Sequence, residues 1–183
     1  MTTLVHFIRV GVLAVAMGCS GCELIIEKYH PKDADMIENF NAHREDFETL
    51  VQMLKEDRAL GRVANDFTRT SNFFGDCKEE TMECSTAKEI GVTEARLSEY
   101  RRLFNKLDLE KGIEGYGKKE TIAFLASTKG LSVTGSTKGY WHTTVAPKTI
   151  VDDLDTYWSA DGKSFLATRH IDGNWYLFFD YED

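Results

Sequence analysis

Proline is almost missing from this chain, two in 183 residues, and glycine supplies only fourteen. That scarcity excludes a collagen-like repeat and a Pro-rich disordered polymer. Basic charge is also short: 22 Lys and Arg stand against 30 Asp and Glu, for a formal net charge of −8. Such a balance argues against nucleic acid, whose phosphates call for clustered Lys and Arg. No apolar run approaches the roughly 20 residues that a membrane-spanning helix needs. Internal repeats and low-complexity tracts are absent, as are the G-x-S-x-G and H-E-x-x-H motifs of serine hydrolases and zinc proteases. What is present is 42% hydrophobic and 28% charged residues, the mix of a globular domain. A chain of this length buries roughly 70% of its unfolded surface, so its core needs neither a metal nor several disulfides.

The first residues read MTTLVHFIRVGVLAVAMGCSGC. One cation, Arg9, precedes an apolar run from Val10 to Met17, and small residues then lead to cysteine. A run this short fits the core of a signal peptide. The segment resembles a bacterial lipoprotein signal, in which a lipid is attached to a cysteine that cleavage leaves as the new N-terminus. The resemblance implies residues 1–21 as signal peptide, Cys22 as the lipidated residue with Cys19 as the alternative, and 22–32 as a tether ending near Pro31. Cysteine counting favours Cys22, because the mature chain then keeps Cys77 and Cys84 as a pair and no odd thiol. Losing Arg9 and no acid takes the mature charge to −9. Its apolar anchor is then the lipid.

Residues 33–183 read as a single α+β domain, helical over 33–112 and β over 113–183. Met36, Ile37, Phe40, Phe47, Leu50, Val51 and Leu54 recur at three- and four-residue steps, which predicts one helix from Asp33 to Leu60 stopped by Gly61. Thr93 predicts an N-cap, with Val92 and Leu97 as a hydrophobic staple and Leu97, Tyr100, Leu103, Phe104 and Leu107 as the apolar stripe. Gly112 marks the exit. These two helices are expected to cover one face of an antiparallel sheet. Its predicted strands are Thr121–Ser127, Leu131–Thr134, Tyr140–Val145, Ser164–Ile171 and Asn174–Tyr181. Asp172-Gly173 predicts a type I′ hairpin with His170 opposite Trp175 and Thr168 opposite Leu177. Aromatics on both faces of that hairpin predict a central or doubly covered position, with helices on one side and a partner on the other.

Between the helices, Cys77 and Cys84 close an eight-residue loop. In an oxidising compartment a disulfide there stabilises by about 2.5 kcal/mol on the chain-entropy account. Zinc lacks accompanying ligands, so no metal and no cofactor are expected. Gly112–Lys119 nearly spells a phosphate loop, but Lys119 stands where a hydroxyl must bind magnesium, so the segment reads as a turn. Ser85-Thr86-Ala87-Lys88 matches S-x-x-K without its partner motifs. Asp152, Asp153, Asp155 and Asp161 lack the ligand spacing of a calcium loop.

What remains is an aromatic-rich β half. Tyr and Trp provide large contact area at low entropy cost. The expected partner-binding patch is Asp152, Asp153 and Asp155 with Tyr157, Trp158, Tyr140, Trp141 and His142, and no catalytic residue is assigned. The general layout resembles small lipoproteins of Gram-negative envelopes, some of which are immunity proteins against periplasm-acting toxins. The resemblance implies a non-enzymatic, lipid-anchored protein on the periplasmic side of the outer membrane, binding a basic protein. A structural or assembly lipoprotein is the alternative. A cell-wall hydrolase using Glu114 or Glu120 ranks below both.

Overall fold

The apolar stripe that starts at Met36 does form helix, in two pieces rather than one. In the computed structural model, helix α1 spans Asp33–Ala42 and α2 spans Arg44–Glu56. They meet at His43, whose φ of −128° leaves the helical region while its N–H still reaches the Asn39 and Phe40 carbonyls. Between Phe40 and Phe47 the sole apolar residue is Ala42, which is exposed. The break lets both rings face one core, 5.4 Å apart. The structure describes residues 30–70, 77–78, 83–84, 91–116, 119–131 and 134–183. The expected leader, both candidate lipid cysteines, most of the tether and the Ser85–Lys88 tetrad lie outside them.

The predicted helix extended to Leu60, but α2 stops at Glu56. There the Lys119 ammonium donates to the Leu54 and Asp57 carbonyls, satisfying orphan groups of the last turn. Leu60 then begins a strand. Helix α3, Glu94–Lys106, starts where predicted, with Thr93 Oγ1 accepting from the Arg96 N–H at 3.2 Å. Its exit comes earlier than Gly112: Asp108 takes a left-handed φ of 54° and the Leu109 N–H returns to the Phe104 carbonyl, a Schellman-type close. Gly112 has a different duty. A Cβ there would lie 2.0 Å from the Val63 carbonyl, so only glycine lets these two strand ends pass.

Seven strands form one antiparallel sheet in the order β2-β1-β5-β6-β7-β9-β8. They are β1 Leu60–Val63, β2 Thr68–Thr70, β5 Ile113–Tyr116, β6 Thr121–Leu131, β7 Thr134–Thr143, β8 Phe165–Asp172 and β9 Trp175–Glu182, while β3 Cys77–Lys78 and β4 Glu83–Cys84 pair separately. The predicted turn at Gly112–Lys119 contains strand β5. The separate predicted strand Leu131–Thr134 is divided between two longer strands: Thr128–Leu131 of β6 pair with Thr134–Thr137 of β7. Neighbouring β9 pairs with the same polar stretch and so stabilises it as strand.

The last hairpin is shifted. Asp172, not Ile171, closes it, so Gly173 and Asn174 are the turn residues. Gly173 has φ of +54° and Asn174 has no positive φ, the pattern of a II′ turn led by glycine. A bulge at Ile171 then sets His170 opposite Tyr176 and Arg169 opposite Leu177. A one-residue slip exchanges faces. Ala167 joins Leu177 and Phe179 in the core, whereas Thr168 lies opposite Phe178. Nor is the hairpin central: β8 is an edge, shielded where Thr149–Val151 hydrogen-bonds to Thr168.

The three helices of the described residues pack on one face. Phe47 touches the rings of Phe40, Phe124, Tyr140 and Trp175 at 4.7–5.8 Å, and Leu50, Leu54, Tyr100 and Phe104 complete that core. The chain is therefore an α+β protein. Among the described residues no helix is long and apolar enough to cross a membrane.

Candidate functional site

Strand alternation sends Tyr140 and His142 to the helix face and Trp141 to the other. On that second face Ala123, Leu125 and Phe178 form a small buried cluster under Trp141, and no described helix residue joins it. Trp141 stacks on Phe178 with ring centroids 5.2 Å apart and planes 26° apart. Gly139 makes the stack feasible. It lies opposite Phe178, and a Cβ would fall 2.8 Å from the Phe178 ring and 2.0 Å from the Phe124 carbonyl.

Beside the stack lies a shallow depression of about 200 Å³. Its floor and walls include Trp141, Phe178 and Tyr116, and charge enters from Arg62, Glu114 and Asp180. Arg62 pairs with Glu114 at 3.4 Å and sits 5.2 Å from the Phe67 ring centroid. Burial, then the Glu114 charge and its hydrogen bond, push the Tyr116 hydroxyl well above its ordinary value. Tyr116 nevertheless leaves 47% of its surface in solvent. Burial, aided by Glu182, holds the Asp180 carboxyl above the usual range.

The acidic loop is built differently from the sequence expectation. Asp155 accepts the Asp33 N–H at 3.0 Å, acting as a cap in trans for the first turn of α1, and also receives the Lys138 ammonium. Lys138 binds Asp33 at 2.7 Å, and Arg169 reaches Asp33 at 3.0 Å. Burial raises the Asp33 carboxyl, but Lys138, the Leu154 N–H and Arg169 outweigh it and hold it below its ordinary value. Asp33, Asp153 and Asp155 offer oxygens close enough for a cation, yet Lys138 and Arg169 already neutralise this corner. It ties α1, β7, β8 and the 152–155 loop together.

The expected patch therefore separates into four places. Asp152 and Asp153 are exposed, whereas Asp155 is engaged as just described. Tyr140 is a correction: only 1% exposed, it donates its hydroxyl to the Met36 carbonyl and belongs to the core. Burial pushes that hydroxyl up to about 12. His142 packs edge-on against Trp175, whose indole N–H donates to Glu48 at 2.8 Å. Burial and then Lys55 lower His142 below its ordinary value, against the pull of Glu48. Tyr157 and Trp158 both pack on Phe165, and Trp158 also meets Tyr181 at 4.8 Å, at the far end of the hairpin. Trp141 alone lies on the uncovered face.

No family model, curated protein or solved structure matches this chain. The site is therefore read from its own chemistry. Tyr116, Phe178 and Asp180 escaped sequence reasoning because they come from two strands whose facing depends on register. The alternating Trp-Tyr-Leu-Phe-Phe-Asp run at 175–180 already separates Phe178 and Asp180 from Trp175, Leu177 and Phe179, and its pairing with β7 brings Trp141 to them.

Proposed function

We propose that this protein is a lipid-anchored envelope protein that binds a basic protein partner through the uncovered sheet face, as an inhibitor or immunity protein against a periplasm-acting toxin or enzyme. The observation that carries the binding reading is that face itself. Helices cover one side of the sheet, and the other presents the stacked Trp141 and Phe178 beside a half-exposed Tyr116. Aromatic anchors of this kind carry a large share of binding energy at protein interfaces. The net charge of −8 favours a basic partner and speeds its approach more than it tightens the complex. Anchoring rests on the leader, with Ser20-Gly21-Cys22 as the lipid site and Cys19 as the alternative. A Cys77–Cys84 disulfide belongs to the same reading and rests on the cysteine count of a mature chain in an oxidising compartment.

Affinity capture with the full chain, from envelope extracts supplemented with secreted proteins of competing cells, tests the reading at low and high salt. The expected result is one basic protein, lost at high salt and strongly reduced by Trp141→Ala. Capture insensitive to Trp141→Ala but abolished by Asp152→Asn/Asp153→Asn would move the interface to the acidic loop. Recovery of resident assembly proteins at both salt levels would favour the structural alternative.

A further inference from the structure

The depression holds one chemical arrangement that its opposite end repeats only in part. At one end the chain's own Arg62 places its guanidinium against the Phe67 ring, 5.2 Å from the centroid, and 3.4 Å from the Glu114 carboxylate. An aromatic face and a carboxylate are the two partners a guanidinium seeks. The lining continues past the Trp141 ring and the Tyr116 ring, whose hydroxyl is hydrogen-bonded to Glu114 and also feels the Asp180 charge, to the half-buried Asp180 carboxylate at the other end. Asp180 forms no ion pair among the described residues, and burial together with the Glu182 charge disfavours its ionised form. Burying a carboxylate without a counter-charge is costly, so this end is electrostatically incomplete.

We propose that this end binds the cationic head of an arginine or lysine from a protein partner, with Asp180 as counter-ion and the Trp141 and Tyr116 rings as walls. The inference deepens the partner-binding reading and rests on it only for the ligand's being part of a protein. Size agrees: about 200 Å³ holds roughly six or seven waters, room for a guanidinium and its last methylenes. Charge agrees too, since an acidic chain attracts basic segments. Trp141 is held flat against Phe178, so the cation meets a preorganised ring and little entropy is lost in forming the wall. Arg62 does not occupy this end, because Glu114 and Phe67 already hold it.

The test titrates the full chain in detergent with a tetra-arginine peptide, followed by calorimetry and tryptophan emission, with tetra-citrulline as the uncharged equivalent. Tetra-arginine should bind at least about tenfold tighter than tetra-citrulline. Asp180→Asn and Trp141→Leu should each weaken it about fivefold, with the fold retained by circular dichroism. The Asp152→Asn/Asp153→Asn pair removes more charge from elsewhere and should change it less than about twofold. Should Trp141→Leu loosen the sheet, Trp141→Phe keeps a ring on Phe178 and carries the comparison. Equal loss from the loop pair, no effect of Asp180→Asn, or equal binding of tetra-citrulline overturns the inference. A captured protein partner that is indifferent to Asp180→Asn but sensitive to Trp141→Ala overturns it while leaving the binding face in place.

Discussion

Lys138→Met removes the one cation that lies fully inside the corner where α1 meets the sheet. Lys138 and Asp33 are 3% and 2% exposed at their side chains and 2.7 Å apart. Methionine fills a similar volume, so the change isolates charge from packing. Asp33 keeps the Leu154 N–H at 2.9 Å and the partly exposed Arg169 at 3.0 Å, but loses its closest counter-charge. Breaking a buried pair from one side costs about 3–5 kcal/mol. The surviving partners place this site near the lower end, about 3 kcal/mol, or roughly 6–12 °C in Tm for a chain of this size. The pH dependence supplies the sharper check. In the native protein Asp33 titrates below its ordinary value, so its contribution is present above about pH 4 and is lost as pH falls through the folded value. In the variant the carboxyl is raised, so protonation relieves the penalty and the gap to wild type narrows between pH 7 and about pH 4.5. Urea unfolding followed by circular dichroism at both pH values measures this. Asp33→Asn added to Lys138→Met should recover at least about 1 kcal/mol relative to the additive sum. A cost under about 1 kcal/mol at pH 7, or a gap that stays constant with pH, would show that water screens the corner and would refute the reasoning.

Gly139→Ala should destabilise by about 2–3 kcal/mol, because its methyl meets a carbonyl oxygen of the central strand and the Phe178 ring; chemical denaturation measures the cost, and a shifted Trp141 emission would report the displaced stack. His30 sits on Phe179 and hydrogen-bonds Ser136 at 2.8 Å, and burial, then Lys138 and Lys129, lower it to about 4. The unfolded chain then takes up a proton that the folded chain refuses, so stability falls as pH drops from about 6.5 toward 4. Discounted for partial exposure, the loss is about 1–2 kcal/mol, and His30→Gln should flatten that limb of a stability–pH curve. Thr93→Ala should cost about 1 kcal/mol, read by thermal melting, through loss of the α3 cap.

Local signals were legible wherever one element decides them. The stripes of α1, α2 and α3 and the Thr93 cap follow from periodicity and capping, whereas the expected change from helix to strand near residue 112 comes too late, because β1 to β4 precede it. Features set by distant partners were not. The end of α2 depends on Lys119, which arrives from 62 residues beyond Asp57. Strands β1 and β5 look like a helix tail and a glycine turn until they pair with each other, Val63 against Ile113. The sequence offers only a short separate strand at Leu131–Thr134, whereas Thr128–Leu131 and Thr134–Thr137 extend β6 and β7, with β9 pairing Gly135–Thr137 as well. The same limit governs the site. Trp141 was identifiable as a large aromatic in a polar setting, but its neighbours Phe178 and Asp180 required the pairing of β7 with β9, which sets Gly139 opposite Phe178.

A purely structural account of the uncovered face is available and must be weighed. Three helices about 10 Å across span roughly 30 Å, close to the 34 Å width of seven strands at about 4.8 Å spacing. The described helices roof one side of the sheet. No described helix covers the opposite side, and Trp141 lying over Leu125 and Phe178 would suffice to keep a small cluster dry there. That account explains the stack and Gly139. It does not explain the far wall of the depression. A face built only for solvation would set threonines or a paired lysine there, as Thr128 and Thr137 do nearby. Instead the chain half-buries Asp180 beside an aromatic cluster, next to Glu182, and provides it no ion pair among the described residues. It also leaves Tyr116 nearly half exposed above it. Each choice costs free energy in the isolated domain, and both costs are offset by a cation arriving from outside. The unbalanced carboxylate, more than the apolar patch, is what distinguishes a binding face from a tolerated one.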